Sequence, residues 1–167
     1  MSDDCAGKLR IELDFNSTRN KLVQFLEHRK DVLMVLATSA DSRVLSRTVW
    51  VANDQLSTYF FTWAFSRKCS QISANPQVSL CRDKVEIEGT ARVVGPMFSP
   101  ETADILALFT AENRDDALQW QDRPSMVIYR VDPTFACVDV YKEQGEIFYE
   151  YLDFTNEVAY KENWAYR

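Results

Sequence analysis

Apolar and polar residues alternate along this chain with two different periods, and the changes of period mark out its elements. Around Asn16 to Lys30, Leu22, Val23, Phe25 and Leu26 fall on one side of a helix, with Asn16 or Ser17 as its cap and an end near His28 to Lys30. The run VLMVLATS, Val32 to Ser39, is apolar on both faces and bounded by Asp31 and by Ala40-Asp41-Ser42, which predicts a buried strand and a turn. Arg43 to Ala52 and Leu56 to Trp63 follow as strands separated by the turn Asn53-Asp54-Gln55, completing an antiparallel meander.

Ser66 as N-cap and Asn75-Pro76 as a stop predict a helix of about two turns between them. Gln77 to Arg82 reads as a strand, and Lys84 to Gly95 as a cleanly alternating one. In the latter, Val85, Ile87, Gly89, Ala91 and Val93 share one face and Glu86, Glu88, Thr90 and Arg92 the other. Gly89 in the middle of the apolar face predicts a bend or a close backbone approach, as barrel closure requires. Ser99-Pro100-Glu101 opens a helix carrying Ile105, Leu106, Leu108 and Phe109. Ser125 to Pro133 and Phe135 to Lys142 are expected as two strands and Glu146 to Phe154 as another. With no linker or repeat to divide it, residues 1–167 are read as one domain, mainly β with flanking helices: six or more strands and three helices.

Composition narrows the function. A formal net charge of −6 opposes non-specific binding to nucleic acid. No apolar run approaches the roughly 20 residues of a membrane span, and the acidic start does not resemble a signal peptide, so no membrane partner and a cytoplasmic protein are expected. Cys5, Cys69, Cys81 and Cys137 stand far apart and His28 is the only histidine, too few ligands for a zinc site; no metal is expected and the cysteines read as small buried thiols. His28 is expected at a solvated helix end.

The candidate chemistry lies in cations. Alternation places Arg47 with Leu45, Val49 and Val51 on an apolar face, where a charge costs several kcal/mol by order of magnitude unless paired, so an anionic partner is expected. Arg67 and Lys68 fall in the first turn of a helix, against its dipole at roughly 0.3–1 kcal/mol each. An anion over that turn would reverse the sign, taking free backbone N–H groups, the hydroxyls of Thr62 and Ser66, and charge-assisted bonds. Solvated surface cations are the alternative. Trp50, Tyr59, Phe60, Phe61 and Trp63 are close by in sequence, suited either to the core or to an apolar slot for a flavin ring beside its phosphate.

The segment SRTVWVA, LSTYFFTWAFSRKCSQISANPQVSL resembles the flavin-binding core of the pyridoxamine 5′-phosphate oxidase family: Arg-x-Val in one strand, an aromatic then Thr closing the next, and Ser-Arg-Lys opening a helix that ends Asn-Pro-x-Val-Ser-Leu. The matching residues are Arg47, Val49, Phe61, Thr62, Ser66, Arg67, Lys68, Asn75, Pro76, Val78, Ser79 and Leu80, and the likeness covers roughly residues 30 to 95. The resemblance implies a six-stranded antiparallel split β-barrel, a homodimer with FMN at its interface. It implies that Arg47, Ser66, Arg67 and Lys68 hold the phosphate while the backbone of Thr48, Val49 and Trp50, with Phe61 and Thr62, meets the flavin. Lys84 stands where the family usually has a Gln approaching the flavin. Ala52 replaces a Lys that contacts substrate in the vitamin B6 oxidases, and their Arg-Pro-x-x-Ser-Gln-Ile segment and C-terminal Arg-Leu-x-Pro signature are missing, so oxidation of pyridoxamine phosphate is not expected. The implied activity is that of an FMN-dependent oxidoreductase passing hydride or electrons between a nicotinamide or other donor and a small-molecule substrate. The alternative is a flavin, deazaflavin or haem protein that binds or stores its ligand without turnover. No residue presents itself as a proton-transfer catalyst.

Overall fold

The computed structural model describes residues 9–27, 33–111, 115–143 and 145–163. In chain order these form β1 (Leu9–Leu13), α1 (Phe15–Glu27), β2 (Leu33–Ala40), β3 (Arg43–Asp54), β4 (Ser57–Trp63), α2 (Arg67–Ala74), β5 (Gln77–Arg82), β6 (Val85–Pro96), α3 (Ala103–Thr110), β7 (Met126–Glu143), β8 (Glu146–Asp153) and β9 (Val158–Asn163). Short 3-10 turns at Pro100–Thr102 and Asp115–Trp120 flank α3. His28, Cys5, Trp164 and Tyr166 lie outside the described residues.

All pairings are antiparallel, in the order β1-β9-β8-β7-β4-β3-β2-β5-β6, and β6 returns to pair with β7. The six strands from β7 round to β6 therefore close into a barrel, and β8, β9 and β1 extend β7 as a wing outside it. The expected split-barrel class is the observed one. The barrel is filled by Met34, Leu36, Val51, Phe60, Leu80, Ile87 and Val131, with Leu22 and Leu26 of α1 packed against the same core. A second apolar cluster, containing Tyr59, Met97, Phe109, Met126 and Ile128, lies on the other side of β4 and takes in α3.

Several local expectations change. The cap of α1 is Asp14, whose Oδ1 accepts from the Ser17 N–H at 2.7 Å, in place of Asn16 or Ser17. The two strands expected from Ser125 to Lys142 are the single strand β7. Proline's missing N–H suggested a break there, but Pro133 sits where it is not needed: β4 pairs with β7 up to Val131, β8 from Phe135 onward, and opposite Pro133 stands Gly89 at a register shift of β6. Val93 leaves the inward face because a second register shift falls between it and Gly95. Strands β1 and β9, too short and mixed in polarity to announce themselves, pair with each other. The tail aromatics Phe148, Tyr149, Tyr151, Phe154 and Tyr160 pack inside the chain, with Phe154 on Phe15 and Tyr151 between Phe135 and Tyr160. None of the described helices is long and apolar enough to cross a membrane.

Closure is tightest at Gly89. A Cβ there would come within 2.6 Å of the Asp132 carbonyl oxygen and 2.8 Å of Val131 Cγ1, so backbone would have to move to admit it. Gly89→Ala is expected to lower stability by about 1–3 kcal/mol, the usual cost of overpacking, read as a lower urea midpoint with an unchanged denaturant slope. An unshifted midpoint would show that the β6–β7 seam can give.

Candidate functional site

The strand period sorts the residues picked out by the sequence onto two sides of the sheet. On β3, Arg47 shares the inward face with Leu45, Val49 and Val51, while Thr48 and Trp50 face outward with Val44 and Ser46. On β4, Thr62 is inward with Phe60, and Phe61 is outward. Helix α2 packs against β2, and the side chains that gather beneath it are Thr38, Arg47, Thr62, Ser66, Lys68, Cys69 and Gln71.

Arg47 is held by neutral oxygens. Its Nη1 donates to Thr38 Oγ1 at 2.6 Å and to the Leu36 carbonyl at 3.4 Å, and its Nη2 donates to Gln71 Oε1 at 3.2 Å. The expected anionic partner is not among the described residues; partial exposure and these three acceptors support the charge instead. Burial nevertheless lowers the Arg47 pKa from its ordinary value. Lys68 donates from Nζ to Thr62 Oγ1 at 2.8 Å, and its pKa is lowered first by burial and then by the Arg47 charge, with Cys69 pulling the other way. Two cations thus repel each other at the mouth of the barrel, and among the described residues no carboxylate pairs with either.

Ser66 occupies the N-cap position of α2 with extended backbone, but its hydroxyl does not cap the helix. It turns inward, 3.3 Å from Thr62 Oγ1 and 3.2 Å from Cys69 Sγ. The first helical hydrogen bonds run from the Cys69 and Ser70 amides to the Ser66 carbonyl. That leaves the Arg67 and Lys68 amides at the positions where a helix N-terminus offers its free donors. Arg67 itself is exposed and lines a cavity of about 250 Å³ between α2 and the β2–β3 hairpin, with Asp41, Arg43 and Gln71. The first-turn amides of α2, an ammonium, a guanidinium and two hydroxyls make a donor set that fits a phosphate monoester.

Outside, Trp50 packs edge-to-face on Phe61 at 5.8 Å, and Phe61 on Phe109 at 5.1 Å, an aromatic wall on the face of β3 and β4 opposite the one that carries Arg47 and Thr62. Lys84 is elsewhere. It sits in the β5–β6 turn, donates to the Val140 carbonyl, lies 3.8 Å from Asp139, and lines a separate cavity of about 610 Å³ with Lys21, Phe25 and Val138. Within the chain it shares neither partner nor cavity with Arg47 and Lys68. Among the described residues no group of histidine, cysteine and carboxylate side chains is arranged to hold a metal.

Thr38 and Gln71 did not stand out in the sequence. Both are polar residues on elements whose neighbours face the core, and both are buried, at 2% and 7% exposure. Buried polar side chains at inward positions are the signal that could have found them.

A family model described as pyridoxamine 5′-phosphate oxidase matches residues 19–135. The pyridoxine/pyridoxamine 5′-phosphate oxidase of Prochlorococcus marinus (strain MIT 9303) is 34% identical over 130 residues, covering 74% of this chain and 59% of that protein. This chain therefore matches only about three fifths of that relative's length. Among solved structures, a FAD-binding protein from Mesorhizobium loti superposes with a TM-score of 0.52 at 16% identity, covering 95% of this chain and 100% of the other. HutZ, the heme storage protein from Vibrio cholerae, superposes with a TM-score of 0.54 at 16% identity, covering 75% of this chain and 91% of the other. At such identities these two likenesses speak for the fold.

The depressed pKa of Lys68 has a signed consequence for stability. Between its lowered folded value and the unfolded lysine value of about 10.4, the unfolded chain binds more protons, so this residue's contribution to stability rises with pH across that window. Below the folded value its penalty is fully present. Urea unfolding of the ligand-free protein beside Lys68→Met should therefore show the difference between the two shifting in favour of the wild type as pH rises through the window. A constant difference would mean that the ammonium is not strained.

Proposed function

The chain belongs to the pyridoxamine 5′-phosphate oxidase family, and on that premise we propose that it binds FMN by its phosphate at the barrel mouth beneath α2 and serves as an FMN-dependent oxidoreductase. The observation that carries the reading is the meeting of Arg47 and Lys68 with neutral partners and no carboxylate among the described residues. A phosphate would supply the negative charge that the protein withholds. When bound, a flavin accepts and returns hydride or electrons at its ring.

The protein's part is binding and orientation. Lys68 and Arg47 bind the phosphate, with the α2 amides and the Thr62 and Ser66 hydroxyls fixing its direction. The exposed strand β3 beside them carries Thr48 and Trp50 outward, and the Trp50–Phe61–Phe109 wall supplies apolar contact next to the sheet. Leu33, Val35, Val44 and Trp50 form an exposed apolar face on β2 and β3, which suits a second copy of the chain packing there as a homodimer. The small-molecule substrate and the electron donor would enter beside that face. With Ala52 buried where the vitamin B6 oxidases place a lysine, pyridoxamine phosphate is not the substrate this reading favours.

A reading without turnover is kept by one observation: among the described residues, the side chains that meet Arg47 and Lys68 are hydroxyls, a thiol and an amide, with no histidine or carboxylate beside them. A deazaflavin phosphate would find the same donors. Mass and absorption spectrum of the extracted cofactor separate FMN from deazaflavin and haem, and anaerobic reduction by NADH or NADPH separates an oxidoreductase from a storage protein.

The purified protein is expected to be yellow. Arg67→Ala/Lys68→Ala is expected to weaken FMN binding by at least tenfold, since a charge-assisted hydrogen bond contributes about 1.5–3 kcal/mol. Unaltered affinity in that variant removes the phosphate site. Val35→Glu/Val44→Glu is expected to shift the protein from dimer to monomer in analytical ultracentrifugation; a wild-type monomer would refute the dimer.

A further inference from the structure

Arg47 carries five N–H donors, of which three are taken up. Both hydrogens of Nη1 go to Thr38 Oγ1 and the Leu36 carbonyl, and one hydrogen of Nη2 goes to Gln71 Oε1. The Nε hydrogen and the second Nη2 hydrogen have no partner among the described residues. These two are the neighbouring donors with which a guanidinium grips an oxyanion in a bidentate manner.

What aims that free edge is a closed triangle. The Thr38 hydroxyl donates to Gln71 Oε1 at 2.7 Å while accepting from Arg47, so Arg47, Thr38 and Gln71 each touch the other two. Gln71 is itself tied down through Nε2, which donates to the Arg43 carbonyl at 3.3 Å. An amide at position 71 can hold a guanidinium without cancelling its charge. A carboxylate of the same shape would hold it and neutralise it.

We propose that Gln71 is the positioning residue of this site: its neutral side chain, together with Thr38, clamps Arg47 so that two N–H donors and the full positive charge are presented to the phosphate. This rests on the FMN reading above. Gln71 touches neither phosphate nor flavin; it acts through Arg47, and it selects for ligands that carry the phosphate. The charged groups around it are Arg47 and Arg43 from β3, Asp41 from the β2–β3 turn, and Arg67 and Lys68 on its own helix.

The test compares wild type, Gln71→Glu and Thr38→Val for binding of FMN and of riboflavin, which differ only in the phosphate, by titrating flavin fluorescence over a range of pH. Above neutral pH, Gln71→Glu should bind FMN about tenfold or more weakly than wild type while its riboflavin affinity stays within about twofold. Its FMN deficit relative to wild type should shrink as pH falls towards the ordinary glutamate value of about 4.3, where the introduced carboxyl again becomes neutral. Thr38→Val, which adds no charge, should weaken FMN but not riboflavin at every pH, and carries the test if Gln71→Glu does not fold. A wild type that binds FMN, with variants that keep its affinity or lose FMN and riboflavin alike, overturns the positioning role and leaves the FMN reading intact. A wild type that does not bind FMN overturns both.

Discussion

The seam between β6 and β7 is the constraint on which the rest of the molecule depends. A six-stranded sheet has two edges, and joining them removes both while forcing the strands to curve. Gly89 allows that curvature by letting β6 approach the backbone of β7 more closely than any side chain would permit. Once the seam is closed, the inward positions of β2, β3 and β4 converge on one mouth. Thr38, Arg47 and Thr62 meet there only because the sheet bends round on itself, and α2 needs only two turns to cover them.

The mouth is built against its own electrostatics. Arg47 and Lys68 repel, both are partly buried, and each is held by oxygens that carry no net charge. A site made for stability alone would place a carboxylate between them. Such local departures from the stable arrangement are where a protein commonly leaves room for a ligand, whose binding to the folded state then returns the stability. Ser66 follows the same logic, since its hydroxyl is turned toward Thr62 and away from the helix end that it would ordinarily cap.

Most of the barrel was legible because inward and outward positions alternate over long stretches of β2, β3 and β6, and turn residues punctuate the strands. The reading failed where tertiary pairing overrode a local signal. Pro133 looked like a strand end, yet it fills a gap between the pairing of β4 and that of β8. Arg47 was legible as an anomaly, a charge at an inward position, but its neutral partners lie on β2 and α2, nine and twenty-four residues away, and spacing along the chain says nothing of them. Lys84 was named from its position in a motif, and its contacts with Val140 and Asp139 of β7 are long-range ones that such a position does not reveal.

The pairing of β1 with β9 joins Leu9 to Asn163, and it governs how this protein can be made. The wing that backs β7 cannot be finished until almost all of the described chain has left the ribosome. Until then β1 has no neighbour, and the outer edge of β8 stays open to strands from other molecules. The barrel, whose six strands all come before β8, can close first and shelter its own edges. Topology thus orders assembly: the ring that holds the candidate site can form early, and the two ends of the described chain meet last, in the step most exposed to aggregation.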